Sequence, residues 1–350
     1  MQYIGLNPLY LYPAGTNFHD AFIRYNGAFL GTLGNVDLLG AFLCLVVPLF
    51  YSTYLLTGIK KALIPFGTGA YLMMLADVDS GYLGLAAALI LTVPLFFRRP
   101  TAWARGCIAF GVLSGAIGVA KLFYADHNRL FSLILSPQSI GWITFGLLLI
   151  VIGCFLGRRH WGGCCSVKAL AVAILLLLCT ALISVYAIPF SGGTAYELHQ
   201  ILHGNWDPSF GSGRIRIWQE TLKLISETPF FGGGPGTLGE RMPFTFTRYA
   251  AELGITIETI ADTAHNDFLN IAVNEGIPAL GFYLAMLACW IWRCCRHLDR
   301  KPVSLLLPCI LAYLVQSCFT YSYCTAAALF WVFLALCEQT INTQKEELEK

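Results

Sequence analysis

The sequence predicts an all-α, polytopic integral membrane protein of about nine transmembrane helices, with one large extracytoplasmic loop that contains an amphipathic helix. Three observations carry this expectation. Of 350 residues, 57% are hydrophobic and 12% charged, and the mean hydropathy is +0.65, so there is too little charge to cover a soluble domain. Apolar runs of membrane-spanning length recur along the chain. Lys and Arg cluster in alternate connections between those runs, as the positive-inside rule requires. The formal net charge of +2 points to no nucleic-acid partner.

Counting about 20 residues per span, helices are expected near Val36–Leu56, Leu63–Ala76, Ser80–Phe97, Trp103–Phe123, Ile140–Leu156 and Ala169–Ile188. Three more are expected near Ile277–Trp292, Val303–Phe319 and Cys324–Cys337. Lys60 with Lys61, Arg98 and Arg99 with Arg105, Arg158 and Arg159 with Lys168, and Arg293, Arg296, Arg300 with Lys301 mark four connections as cytoplasmic. The chain then divides into an extracytoplasmic N-terminal arm (1–35), six helices (36–189), an extracytoplasmic loop (190–264), three helices (265–341) and a cytoplasmic tail (342–350). The arm follows no signal peptide or helix, so it is expected either to cross unaided or to follow helices that a longer relative carries. The thirteen Cys include no C-x-x-C pair; most lie in apolar runs, and no disulfide framework is expected.

A connection as long as 190–264 is usually functional. Within it, "SGRIRIWQETLKLISETPFFGGGPG" reads as a helix with Ser212 as N-cap and a body to Glu227, ended by Pro229 and Gly232–Gly234. On a helical wheel Arg214 falls inside the apolar stripe of Ile217, Trp218, Leu222, Leu224 and Ile225. Arg216 falls on the wet face, where Glu220 is the expected partner. A charge on an apolar face is costly without a purpose or a partner, so Arg214 is the candidate working residue. The plain alternative is an Arg that snorkels to water. The run "GGGPG" is either a turn or a set of backbone N–H donors for phosphate, without the Lys-Ser/Thr ending of a P-loop.

"TAHNDFLNIAVNEGIPALGFYLAML" (263–287) joins a polar cluster to a membrane-grade run. Counting back about 20 residues from Arg293 puts the outer apolar boundary near Val273, and His265 roughly 12 Å beyond it, in the headgroup layer. Gly276 and Pro278 allow a kink between the two halves. Asp262, His265 and Asp267 match no standard metal spacing, and neither metal nor cofactor is expected. A headgroup-level site with Arg and His suits transfer from a lipid diphosphate. Arg clamps phosphate oxygens and stabilises the leaving diphosphate, and a neutral His takes a proton from the attacking hydroxyl.

These residues resemble the O-antigen ligase/polymerase family of membrane glycosyltransferases. The family pattern is an Arg four residues before a Trp, then Pro, apolar residues and Gly-x-Gly, then His-Asn opening a helix with Glu-Gly nearby. Arg214, Trp218, Pro229, Gly232, Gly234, His265, Asn266, Glu275 and Gly276 stand at those positions. Near the start, Arg24, Gly27 and Asn35 match a further segment, in which Asp37 stands where a second Asn is usual. The resemblance implies a GT-C-like helical fold and an undecaprenyl-diphosphate-linked glycan donor. The glycan passes with inversion, without metal or cofactor, to a saccharide or lipid acceptor hydroxyl at the outer face of the bacterial cytoplasmic membrane. It also implies His265 as base, Arg214 and Arg24 as diphosphate contacts, and Arg216, Asn266 and Glu275 as further donor or glycan contacts. Family members carry about four additional helices before the segment matched by Arg24, so the resemblance implies either a shortened homologue or a fragment. Polymerase and ligase share these motifs. A transporter of lipid-linked saccharide and a non-catalytic scaffold are the rival classes; the transporter predicts internal repeats and mid-membrane charge, and no clear repeat is present.

Overall fold

The computed structural model describes residues 33, 35–97, 100–126, 129–133, 137–158, 167–250 and 255–349. Each predicted apolar segment coincides with a helix: α1 Val36–Thr57, α2 Leu63–Ala76, α3 Asp79–Phe96, α4 Pro100–Leu122, α5 Pro137–Arg158 and α6 Val167–Ala187, then α11 Ile277–Arg296, α12 Lys301–Ser317 and α13 Cys324–Glu349. Among the described residues, 5 helices (in α1, α4, α5, α11 and α13) are long and apolar enough to cross a bilayer by length and composition. Shorter apolar helices lie in α3, α6 and α12. Two differences from expectation concern the ends. α13 continues to Glu349, so helix runs through the stretch read as a separate tail. The N-terminal arm with Arg24 and Gly27 lies outside the described residues, apart from its last positions.

The chain forms two compact units. The first comprises α1–α5, α12, α13 and the basic last turn of α11. Asn35 caps α1, its side chain accepting from the N–H groups of Asp37 and Leu38 at 2.7 and 3.4 Å. Tyr51, Phe66, Leu45 and Met73 are fully buried at the centre of α1 and α2. Arg105 donates to the Leu55 carbonyl at 2.7 Å. The Lys60–Lys61 turn and the start of α4 therefore share one end of this unit, as the alternation of basic connections requires. α4 and α5 approach through small residues: a Cβ on Gly111 would meet the Gly146 carbonyl, and one on Gly146 the Gly111 carbonyl, each at 2.6 Å. Arg293, in the last turn of α11, pairs with Glu338 at 3.1 Å.

The second unit comprises residues 166–292 with 317–321. α6 exposes leucine around its circumference, as a lipid-facing helix does. The long connection after it is more than a loop with one helix. It holds α7 Gly193–Leu202, α8 Arg214–Glu227, α9 Leu238–Arg241 and an antiparallel hairpin of β3 Thr245–Ala250 and β4 Ile255–Ile260, followed by α10 Asp267–Glu275. A second hairpin, β1 Phe123–Asp126 with β2 Arg129–Leu133, stands between α4 and α5 in the first unit. Neither hairpin was expected of an all-α chain. The second unit has its own core of Ile217, Leu224, Ile225, Leu238, Met242, Ala261, Ala264, Ala272 and Val273. That core unites α8, α9, the end of β4 and α10.

α10 and α11 are not one kinked helix. Gly276 stands between them at φ 96 and ψ 165, far from helical values. The height of His265 therefore does not follow from extending the membrane helix outward, and the 12 Å expectation is withdrawn on that ground.

Candidate functional site

The N-terminus of α8 is preceded by Gly211, Ser212 and Gly213, all left-handed at φ 62, 59 and 83. Gly213, not Ser212, occupies the cap position, and it supplies no side-chain bond. The first four N–H groups of α8 are already engaged: Arg214, Ile215, Arg216 and Ile217 donate to the carbonyls of Gly211, Phe210, Pro208 and Gly213. A helix N-terminus normally offers such groups to an anion. The side chain of Arg214 is half-buried at the start of the apolar face, with Nη1 donating to the Gly211 carbonyl at 3.2 Å. Ile217, Thr221, Leu224 and Ile225 are buried on that same face. Leu222, predicted within the stripe, is 55% exposed.

Trp218 lies one turn after Arg214, and residues four apart are neighbours on a helix surface. Its indole Nε1 donates to the Ala264 carbonyl at 3.0 Å. The Ala264 N–H is held in turn by Asn270 Oδ1 at 3.3 Å. Ala264 is thus fixed from both sides, and His265 follows it at φ 45, a left-handed conformation uncommon for a residue with a side chain. The His265 ring meets the Tyr321 ring edge-on, centroids 5.6 Å apart, and Trp218 lies 6.2 Å from Phe319. The segment 317–321 therefore passes both the anchor and the imidazole. Trp218, one helix turn beyond Arg214, is thus bonded to the residue that precedes His265.

The other predicted residues have different places. Asn266 is the N-cap of α10, its Oδ1 accepting from Leu269 N–H at 3.0 Å, which is a structural role. Glu275 closes the same helix, about 13 Å away at 1.5 Å per residue, so the two ends do not meet. Arg216 is exposed, and its guanidinium lies 4.0 Å over the Phe244 ring. Glu220, expected to pair with Arg216, pairs instead with Lys223 at 2.8 Å. Arg24 lies outside the described residues. Among the described residues, no three His, Cys, Asp or Glu side chains converge to hold a metal ion.

The glycine run is a turn, and the N–H groups of Gly232, Gly233 and Gly234 are spent on protein. Gly233 and Gly234 donate to the carbonyls of Val273 and Asn274 at 2.9 Å, Gly232 donates to Thr228 at 3.0 Å, and Ile277 N–H returns to the Pro229 carbonyl at 2.8 Å. A Cβ on Gly232 would strike the Asn274 backbone, and one on Gly276 the Phe230 carbonyl. The glycines let two main chains touch, and the phosphate-cradle reading gives way to this clasp.

Arg241, which drew no attention in the sequence, completes it. Nη1 donates to Val273 O at 3.1 Å; Nη2 donates to Leu224 O at 3.3 Å and to Thr228 Oγ1 at 3.2 Å. One cation thus satisfies the C-terminal ends of both α8 and α10. Arg241→Ala is expected to cost about 2–4 kcal/mol, because partly buried carbonyls lose a charged donor. Arg241→Lys, lacking the fork, should recover only part of this. Thermal unfolding of the purified protein in detergent measures both; a wild-type midpoint for the Ala variant would contradict the assignment.

Partial burial raises the Glu275 carboxyl above its ordinary value, and the Asp267 charge adds to the shift. A raised carboxyl pKa means that the folded state holds the proton more tightly. Its ionised form therefore opposes folding at high pH, and the penalty vanishes below the ordinary value near 4.3. Glu275→Gln is expected to raise the unfolding midpoint at about pH 8 and to leave it unchanged below about pH 4, an effect reduced by solvent screening. Midpoints measured across that range test it, and equal midpoints at the upper end would reject it.

The second unit thus carries Arg214 and His265 on a packed polar domain directly before a helix long and apolar enough to cross a bilayer, and the apolar helices mark the chain as a membrane protein. A model of the family described as O-antigen ligase matches residues 129–284, a stretch that contains Arg214, Trp218, Pro229, Gly232, Gly234, His265, Asn266, Glu275 and Gly276. The match supports the family resemblance carried by those motifs over this part of the chain. Arg24 and Asn35 lie before the matched stretch. No curated protein matches the chain.

Proposed function

We propose that the protein is a glycosyltransferase that moves or polymerises a glycan from an undecaprenyl-diphosphate donor onto a saccharide or lipid acceptor hydroxyl, at the outer face of the bacterial cytoplasmic membrane. The observation that supports this reading is the Trp218–Ala264 bond, which ties the residue before a left-handed His265 to the side chain one helix turn beyond the half-buried Arg214. The basic last turn of α11, with Arg293 and Arg296, marks the opposite, cytoplasmic end of the helix that follows the site.

In the proposed reaction the acceptor oxygen attacks the anomeric carbon and His265 accepts the hydroxyl proton. The bond between that carbon and the diphosphate oxygen breaks, inverting the centre and releasing undecaprenyl diphosphate. Arg214 balances the charge that builds on the leaving group, where a bidentate guanidinium is most effective. Arg24 is a second contact to that diphosphate. Arg216, with its planar group over Phe244, is suited to the glycan or to donor phosphate. No step calls for a metal or cofactor.

Complementation tests the reading. Arg214→Ala and His265→Ala are introduced into a strain that lacks the native protein, and glycan chain growth is followed. Loss of product in both, at normal membrane levels, supports transfer over the scaffold and transporter alternatives. An unchanged product ladder would sink it.

A further inference from the structure

The clasp fixes the depth of the turn that follows α8. α11 has 20 residues, and at 1.5 Å each it spans about 30 Å, the thickness of the hydrocarbon core. A span with Arg293 and Arg296 at one boundary would put Ile277 at the other. Ile277 N–H is bonded to the Pro229 carbonyl at 2.8 Å, so main-chain atoms hold the turn beginning at Pro229 to the N-terminal end of α11. The next two side chains, Phe230 and Phe231, are 70% and 89% exposed, and Phe231 is the most exposed large hydrophobic residue among those described. Ile277 and Phe282 of α11 are also exposed, at 51% and 79%, so an apolar surface starts on the membrane helix and adjoins the turn. Residues 229–236, "PFFGGGPG", carry no charge to oppose insertion.

We propose that Phe230 and Phe231 are an aromatic wedge, buried among the acyl chains just beneath the headgroups of the leaflet at the N-terminal end of α11. Their partner is bilayer phospholipid. Continuity with the lipid-facing surface of α11 favours this occupant, since aromatic side chains concentrate at membrane boundaries. The same turn holds α10 through Gly233 and Gly234. The wedge therefore sets the height of the Arg214–His265 site relative to the lipid. It requires only that α11 spans, and not that the site transfers glycan.

The test uses the full chain in phospholipid nanodiscs free of polyprenyl lipid, with p-benzoylphenylalanine at position 231 and, as comparison, at the exposed position 222 of α8. After irradiation, mass spectrometry is expected to find a phospholipid adduct at 231 several-fold above that at 222. An adduct no stronger than at 222, a cross-link to the protein itself, or an adduct formed only after polyprenyl diphosphate is added would overturn the proposal. Phe231→Trp gives an independent measurement that survives poor incorporation. The added fluorescence should be quenched by brominated phospholipid and spared by aqueous iodide; the reverse pattern would overturn it equally. Neither measurement depends on glycan transfer, so failure here and failure of the complementation are distinguishable.

Discussion

His265→Ala is expected to lower glycan transfer by about 10²–10⁴-fold, the range that a positioned general base contributes. The backbone complicates that variant, because φ 45 is strained for alanine as well as for histidine. Two further substitutions separate chemistry from strain. Asn tolerates the left-handed region but cannot accept the proton, so His265→Asn should lose as much activity as Ala without extra instability. Gly relaxes the backbone, so His265→Gly should be at least as stable as the native chain and equally inactive. Initial rates of product formation, with unfolding midpoints measured alongside, decide the matter. Activity retained by the Gly variant would mean that the imidazole is not required for transfer.

Gly276→Ala is expected to be the most destabilising single change in the second unit, by at least about 3 kcal/mol. Its backbone, at φ 96 and ψ 165, lies in a region that only glycine occupies at low cost, and the added Cβ would meet the Phe230 carbonyl. Relief would require breaking the Ile277–Pro229 bond, which frees α10 from the turn and takes His265 with it. Gly236→Ala is the internal control. Gly236 is also left-handed, at φ 74, but a Cβ there meets nothing within 4 Å, so its cost is only the conformational one, about 1 kcal/mol. Unfolding midpoints that do not separate the two variants would refute the steric account of the clasp.

The apolar helices were legible because span length and hydropathy act residue by residue, and tertiary context does not change them. The half-burial of Arg214 and the exposure of Arg216 were legible for a similar reason, since a 3.6-residue period fixes which face each occupies. The hairpin at 245–260 left a short signal that went unused: "ITIE", the start of its second strand, alternates apolar with polar residues, the period of a half-buried strand. Arg241 left none. Its acceptors on Leu224 and Val273 are 17 and 32 residues away, and nothing local to "GERM" announces them. The bond from Trp218 to Ala264 spans 46 residues and is equally silent, although the Trp itself stood out as part of a motif. Glu220 shows the limit of local rules. Both Arg216 and Lys223 were within helical reach, and the Phe244 ring, from a distant segment, took the arginine.

The seam between residues 229–234 and 273–277 is stitched by main-chain atoms, and it asks of its glycines only that they carry nothing. A contact of this kind is made by backbone atoms, so the gaps that its glycines leave cannot be filled. In this chain the architecture of the polar domain is therefore written in missing atoms as well as in side chains.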